Sequence, residues 1–109
     1  MKFIETVIDT WKTLSNPTLH STIKRSADGS RLTIEVTTKQ YSASIEAWEQ
    51  AYSMDITVVE LMSNTGVLLS AGECTSLEEM KERITLLCEM LSKEQFTAIL
   101  ANPVFLRPE

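Results

Sequence analysis

The side chains of this 109-residue chain that could do chemistry are few and scattered. His20 is the single histidine, and Cys74 and Cys88 are the two thiols. There is no C-x-x-C, no H-x-x-x-H and no paired ligand set of either kind, which are the spacings that hold a metal ion. Cys88 falls in an apolar helical stripe, where a small buried thiol is expected. Cys74 lies just before a helix, a place that can lower a thiol pKa, but no base accompanies it. None of the three glycines belongs to a Gly-rich loop, so there is no recognisable phosphate cradle. Glu78, Glu79, Glu82 and Glu89 read as the solvated face of a helix, with the first two favoured by its dipole. Glu46, Asp55 and Glu60 lie on adjacent strands, but acid–base work needs an enclosing pocket with shifted pKa values. An open sheet face offers none. The expectation is a protein without catalytic activity, metal or cofactor.

The elements that position these groups follow from hydrophobic spacing. Phe3, Ile4, Val7, Ile8, Trp11 and Leu14 recur at three and four, the stripe of an amphipathic helix over about 2–15, with Trp11 buried against a sheet. Asn16-Pro17 ends it. Two alternating runs, TLHSTIKRS and SRLTIEVTT, are joined through Asp28-Gly29, a hairpin signal suited to a tight primed turn. Leu32, Ile34 and Val36 share one face. Leu19, Ser21 and Ile23 make a weakly apolar first strand, read as an edge that Lys24 and Arg25 protect. The third strand, from Tyr41 to about Glu49, turns Tyr41, Ala43, Ile45 and Ala47 inward and Ser42, Ser44, Glu46 and Trp48 outward. In the fourth, Tyr52, Met54, Ile56 and Val58 face in, while Asp55, Thr57 and Val59 face out. Ser63-Asn64-Thr65-Gly66 forms a turn, and Val67–Ala71 a fifth strand.

Ser76-Leu77-Glu78-Glu79 is a capping box, with Thr75 an alternative cap. Leu77, Met80, Ile84, Leu87, Cys88 and Leu91 then form a helical stripe. A further short helix is read from about Lys93 to Ala101, capped by Ser92, and the apolar tail VFLRPE is expected to dock on the domain. The chain reads as one α+β domain over residues 1–109: an antiparallel five-stranded meander sheet, with an N-terminal helix and two C-terminal helices packed on one face.

Charge is unevenly placed. Residues 1–40 hold six basic and four acidic groups, whereas residues 41–109 hold four basic and eleven acidic. The acidic part would repel nucleic acid, whose binding requires Lys and Arg. It would attract a basic partner protein, or it serves solubility alone. No segment is apolar for long enough to span a membrane. The early interruption by Glu5 and Asp9 argues against a secretory leader, and two isolated thiols suit a reducing cytoplasm.

YSASIEAWEQAYSMDITVVELMSNTGVLL, followed by a Ser/Thr-capped, Glu-rich helix, resembles the TriTu-type immunity proteins of contact-dependent growth inhibition. The likeness spans about half the chain and rests on strand pattern, Trp48 and helix placement. It implies a small bacterial cytoplasmic protein that neutralises a cognate toxin domain, of a kind that cleaves transfer RNA in concert with elongation factor Tu. Under that reading Glu46, Asp55, Glu60 and Glu73 stand in for phosphates and Trp48 is a packing anchor, assignments taken from face and charge. A terminal segment or strand twist that covers Trp48 is the competing account. The segment after Leu91 departs from the family pattern. The alternative function is a small acidic secretion chaperone that binds an extended effector segment, usually as a dimer.

Overall fold

The computed structural model describes residues 3–15, 19–50, 52–70 and 72–93. Its elements are α1 (Phe3–Leu14), β1 (His20–Arg25), β2 (Arg31–Thr37), β3 (Tyr41–Trp48), β4 (Ser53–Glu60), β5 (Thr65–Ser70) and α2 (Leu77–Lys93). The structure is α+β. The strands pair antiparallel in chain order, β1-β2-β3-β4-β5, leaving an open sheet with β1 at one edge. Apart from Lys93, the further helix read from Lys93 to Ala101 and the docked tail fall on residues outside those described. Ser92, read from sequence as a cap, instead lies inside α2, which continues to Lys93.

Period-two alternation along β2, β3 and β4 sends most apolar side chains to one face, with Trp48 and Val59 on the other. The register aligns them in rows: Leu32, Ala47 and Met54; Ile34, Ile45 and Ile56; Val36, Ala43 and Val58. All nine are buried. Phe3, Ile4, Val7 and Trp11 of α1 and Met80, Ile84, Leu87, Cys88 and Leu91 of α2 close over them in one core. The small Ala43 and Ala47 flank Ile45 on β3, the strand that α1 contacts, and leave room for the helix to approach. Trp11 is buried, and its indole N–H donates to Ser21 Oγ on β1 at 3.2 Å.

A carboxylate anchors each helix start. Glu49, just past β3, accepts the backbone N–H groups of Phe3 (2.8 Å) and Ile4 (3.2 Å), satisfying donors that a helix N-terminus leaves free. Ser76 Oγ accepts from the Glu79 N–H at 3.0 Å, while Glu79 reaches back to the Thr75 N–H (2.6 Å) and hydroxyl (2.7 Å). The capping box forms, with its return bond displaced by one residue to Thr75.

The hairpin turns differ from expectation in detail. Gly29 has a φ of 75°, but Asp28 stays out of the left-handed region, so the first turn is not a primed type. Ser26 O accepts from Gly29 N–H, and Asp28 Oδ1 takes Ser26 Oγ, Ser30 N–H and Ser30 Oγ, a turn stabilised by its own aspartate. Tyr52 is not a core residue of β4: it occupies a left-handed turn position (φ 48°), is 49% exposed, and stacks on Phe3 at 5.2 Å. The connection needs a reversal there, and this removes Tyr52 from the alternation. The last turn spans Leu61–Asn64, so Gly66 belongs to β5 beside a register shift.

Arg83 is the main departure inside the core. Although charged, it occupies the buried stripe of α2 with no exposed surface. Its guanidinium pairs with Glu79 at 2.6 Å and donates to Met54 O at 3.4 Å, while its Nε has no partner. Glu79 is therefore half-buried and ion-paired, not part of a solvated face. Burial alone would raise its carboxyl, but the donors of Thr75 and the guanidinium outweigh that and hold it at about 2. Among the described residues no helix is long and apolar enough to cross a membrane.

Ile84→Ala should destabilise the domain by about 2–5 kcal/mol in urea denaturation. Glu79→Gln should cost about 2 kcal/mol, toward the low side for a broken buried pair because Glu79 keeps some solvent. Since the Glu79 carboxyl lies below its ordinary value in the folded state, its contribution is complete above about pH 4.5 and fades as pH falls toward about 2. The pH dependence of the wild-type melting temperature across that window should flatten in Glu79→Gln.

Candidate functional site

The helices cover one face of the sheet, and the register assembles the other into transverse rows. Cross-strand partners point to the same side. His20, Thr37, Ser42 and Val59 form one row; Thr22, Glu35, Ser44 and Thr57 the next. Lys24, Thr33, Glu46 and Asp55 form a third, and Arg31, Trp48 and Ser53 the fourth. The backbone of Glu73 bridges Ser53 and extends that last row. Glu46, Trp48, Asp55 and Glu73 thus gather at one end of the open face.

Glu60 does not join them. It pairs with the buried Tyr41 and shares that side of the sheet, where it accepts a hydrogen bond from Ser63 Oγ at 2.7 Å. The alternation that buries Met54, Ile56 and Val58 turns Glu60 the same way, so being on a neighbouring strand did not place it on the neighbouring surface.

Much of the open face is charge-balanced. Lys24 pairs with Glu35 at 3.2 Å, and Arg31 with Glu46 at 2.9 Å. The Arg31 guanidinium also lies 5.5 Å from the Trp48 ring centroid, a cation–π distance. Glu46 and Asp55 are direct cross-strand partners, a like-charge contact that disfavours pairing. Arg31 offsets it from one side, and the Gly72 N–H donates to Asp55 Oδ1 at 3.2 Å from the other. Glu46 is therefore not a bare carboxylate awaiting a partner.

The surplus acid lies beyond Arg31. Asp28, Ser30, Trp48, Gln50, Ser53 and Asp55 line a shallow depression of about 470 Å³. The Ser30 N–H, and then the hydroxyls of Ser26 and Ser30, lower the Asp28 carboxyl to about 2, so it is fully ionised near neutral pH. Trp48 is half-buried. Asp28 entered the sequence reading only as a turn residue. Its place was latent in the meander: because Arg31 pairs with Trp48, the β1–β2 and β3–β4 turns meet at the same end of the sheet.

The thiols take no part. Burial raises the Cys74 thiol, an effect that Arg83 opposes and Glu79 reinforces, so the place before α2 does not activate it. Burial, helped by the Glu89 charge, pushes Cys88 up to about 12. His20 is exposed on β1. Among the described residues, no group of three or more His, Cys, Asp or Glu side chains is placed to hold a metal ion.

Of the two tryptophans, only Trp48 is open to solvent, since Trp11 is 1% exposed. Iodide should therefore quench part of the wild-type fluorescence. Trp48→Phe should leave a blue-shifted emission that iodide barely touches, and residual strong quenching would contradict the placement of Trp11.

The chain matches no family model, no curated protein and no solved structure, so its functional reading rests on these residues.

Proposed function

We propose that this is an immunity-type binding protein that neutralises the C-terminal nuclease domain of a cognate contact-dependent growth inhibition toxin. The observation that supports this reading is the sheet face on which no described helix lies, where Trp48 lines a depression together with Asp28 and Asp55. Aromatic anchors beside oriented charges are what protein interfaces use, and a nuclease that holds RNA must display basic groups. Inhibition then needs no chemistry: carboxylates occupy positive positions that phosphates would otherwise fill. The excess of acids after residue 40 favours the encounter electrostatically. Elongation factor Tu is a candidate third member of the complex.

Calorimetric titration against the toxin domain encoded beside this protein, with and without elongation factor Tu, tests the proposal when paired with a transfer-RNA cleavage assay. One-to-one binding that abolishes cleavage is the expected result. No binding by folded protein would remove the immunity reading, and capture of an extended effector segment by a dimer would replace it with a secretion chaperone. Asp55→Lys should weaken the complex more than Glu46→Lys, because Arg31 already neutralises Glu46. The association rate should fall as salt rises, and a salt-independent rate would limit the acidity to solubility.

A further inference from the structure

The depression beside Trp48 has a chemistry more specific than acidity. It is lined by Trp48, Asp28 and Asp55 together with the polar residues Ser30, Gln50 and Ser53. Each carboxylate is already oriented from within the protein. Asp28 Oδ1 accepts from Ser26 and Ser30, and Asp55 Oδ1 accepts from the Gly72 N–H. None of these bonds uses either Oδ2 atom, so each group retains an acceptor oxygen. The indole already carries a guanidinium, that of Arg31, at 5.5 Å. Arg31 itself is not among the residues that line the depression.

We infer that this depression is a socket for a guanidinium, filled by an arginine side chain that the partner protein inserts against Trp48 and between Asp28 and Asp55. The occupant follows from complementarity of charge and shape. A planar cation with five N–H donors can lie on an aromatic surface and donate in its own plane to two separate carboxylates. An ammonium is a compact, strongly hydrated point charge and gains less from the ring. A phosphate or a carboxylate would be repelled by both aspartates. The socket rests on the reading of this face as a partner-binding surface, and it names the group that the surface selects.

The test uses the whole protein and three probes: acetyl-Gly-Arg-Gly-amide, its citrulline counterpart and its lysine counterpart. Binding is followed through the Trp48 indole N–H and the backbone amides of Asp28, Ser30 and Asp55 in nitrogen-15 correlation spectra. The arginine peptide should shift these signals saturably, and the citrulline peptide, which has the same shape without the charge, should leave them in place. Trp48→Ala and the double variant Asp28→Asn/Asp55→Asn should each weaken arginine binding about tenfold or more, in protein that circular dichroism shows to be folded. The socket is overturned if the arginine peptide leaves these signals unmoved, or if citrulline or lysine binds as well as arginine. The wild-type titrations decide the matter even if a variant fails to fold. Docking of the arginine peptide without toxin binding would leave the socket standing and remove the immunity reading. Toxin affinity unchanged by Asp28→Asn/Asp55→Asn would remove the socket and leave the immunity reading intact.

Discussion

One-sided burial across β2, β3 and β4 is the constraint from which the rest of this molecule follows. Three apolar rows need three strands in fixed register, because a slip of one residue would exchange the two faces. With that register set, α1 and α2 cover one surface, and no described helix lies on the polar face. The same register brings the β1–β2 turn beside the β3–β4 turn, and so places Asp28 next to Trp48. The candidate site is a consequence of how the core is aligned.

The carboxylates illustrate how context divides one residue type among several tasks. Glu49 and Glu79 both sit at helix starts and satisfy free backbone donors, but Glu49 reaches α1 from across the sequence and Glu79 acts within its own helix. Glu79 also balances Arg83, whose burial would otherwise leave an uncompensated charge in the core. Glu35 and Glu46 are engaged by neighbouring cations on the open face. On the open face, what is left to meet a partner is a small set at one end of the sheet. Total charge overstates the acid available for binding, because folding has assigned much of it already.

The open face thereby acquires a direction. Its middle is a field of Ser and Thr side chains with self-paired charges, which offers shape and hydrogen bonds but little net potential. Its Trp48 end combines aromatic surface with carboxylates that backbone N–H groups anchor. Groups held in place before a partner arrives lose less entropy on binding than free side chains do. An interface built this way would draw its specificity from a few oriented groups and its area from the neutral sheet.

The class of the fold and the composition of its buried face are legible in the order of residues alone. Alternation in SRLTIEVTT and YSASIEAW, and the three-and-four spacing of α1 and α2, are local periodicities that burial on one side makes readable. The sequence also pointed Glu46, Trp48 and Asp55 to the face opposite the apolar one, where the register sets them. The tertiary structure alone decided which charges remain available. Pairing of Arg31 with Glu46, burial of Arg83 against Glu79, capture of the α1 terminus by Glu49 and the approach of Asp28 to Trp48 all join residues through register or helix packing. Glu60 was misplaced for the same reason: its strand was legible, but its side follows from the pairing with Tyr41. Periodicity reports how each segment meets water and core, whereas electrostatic partnership depends on distances that exist only once the segments are packed.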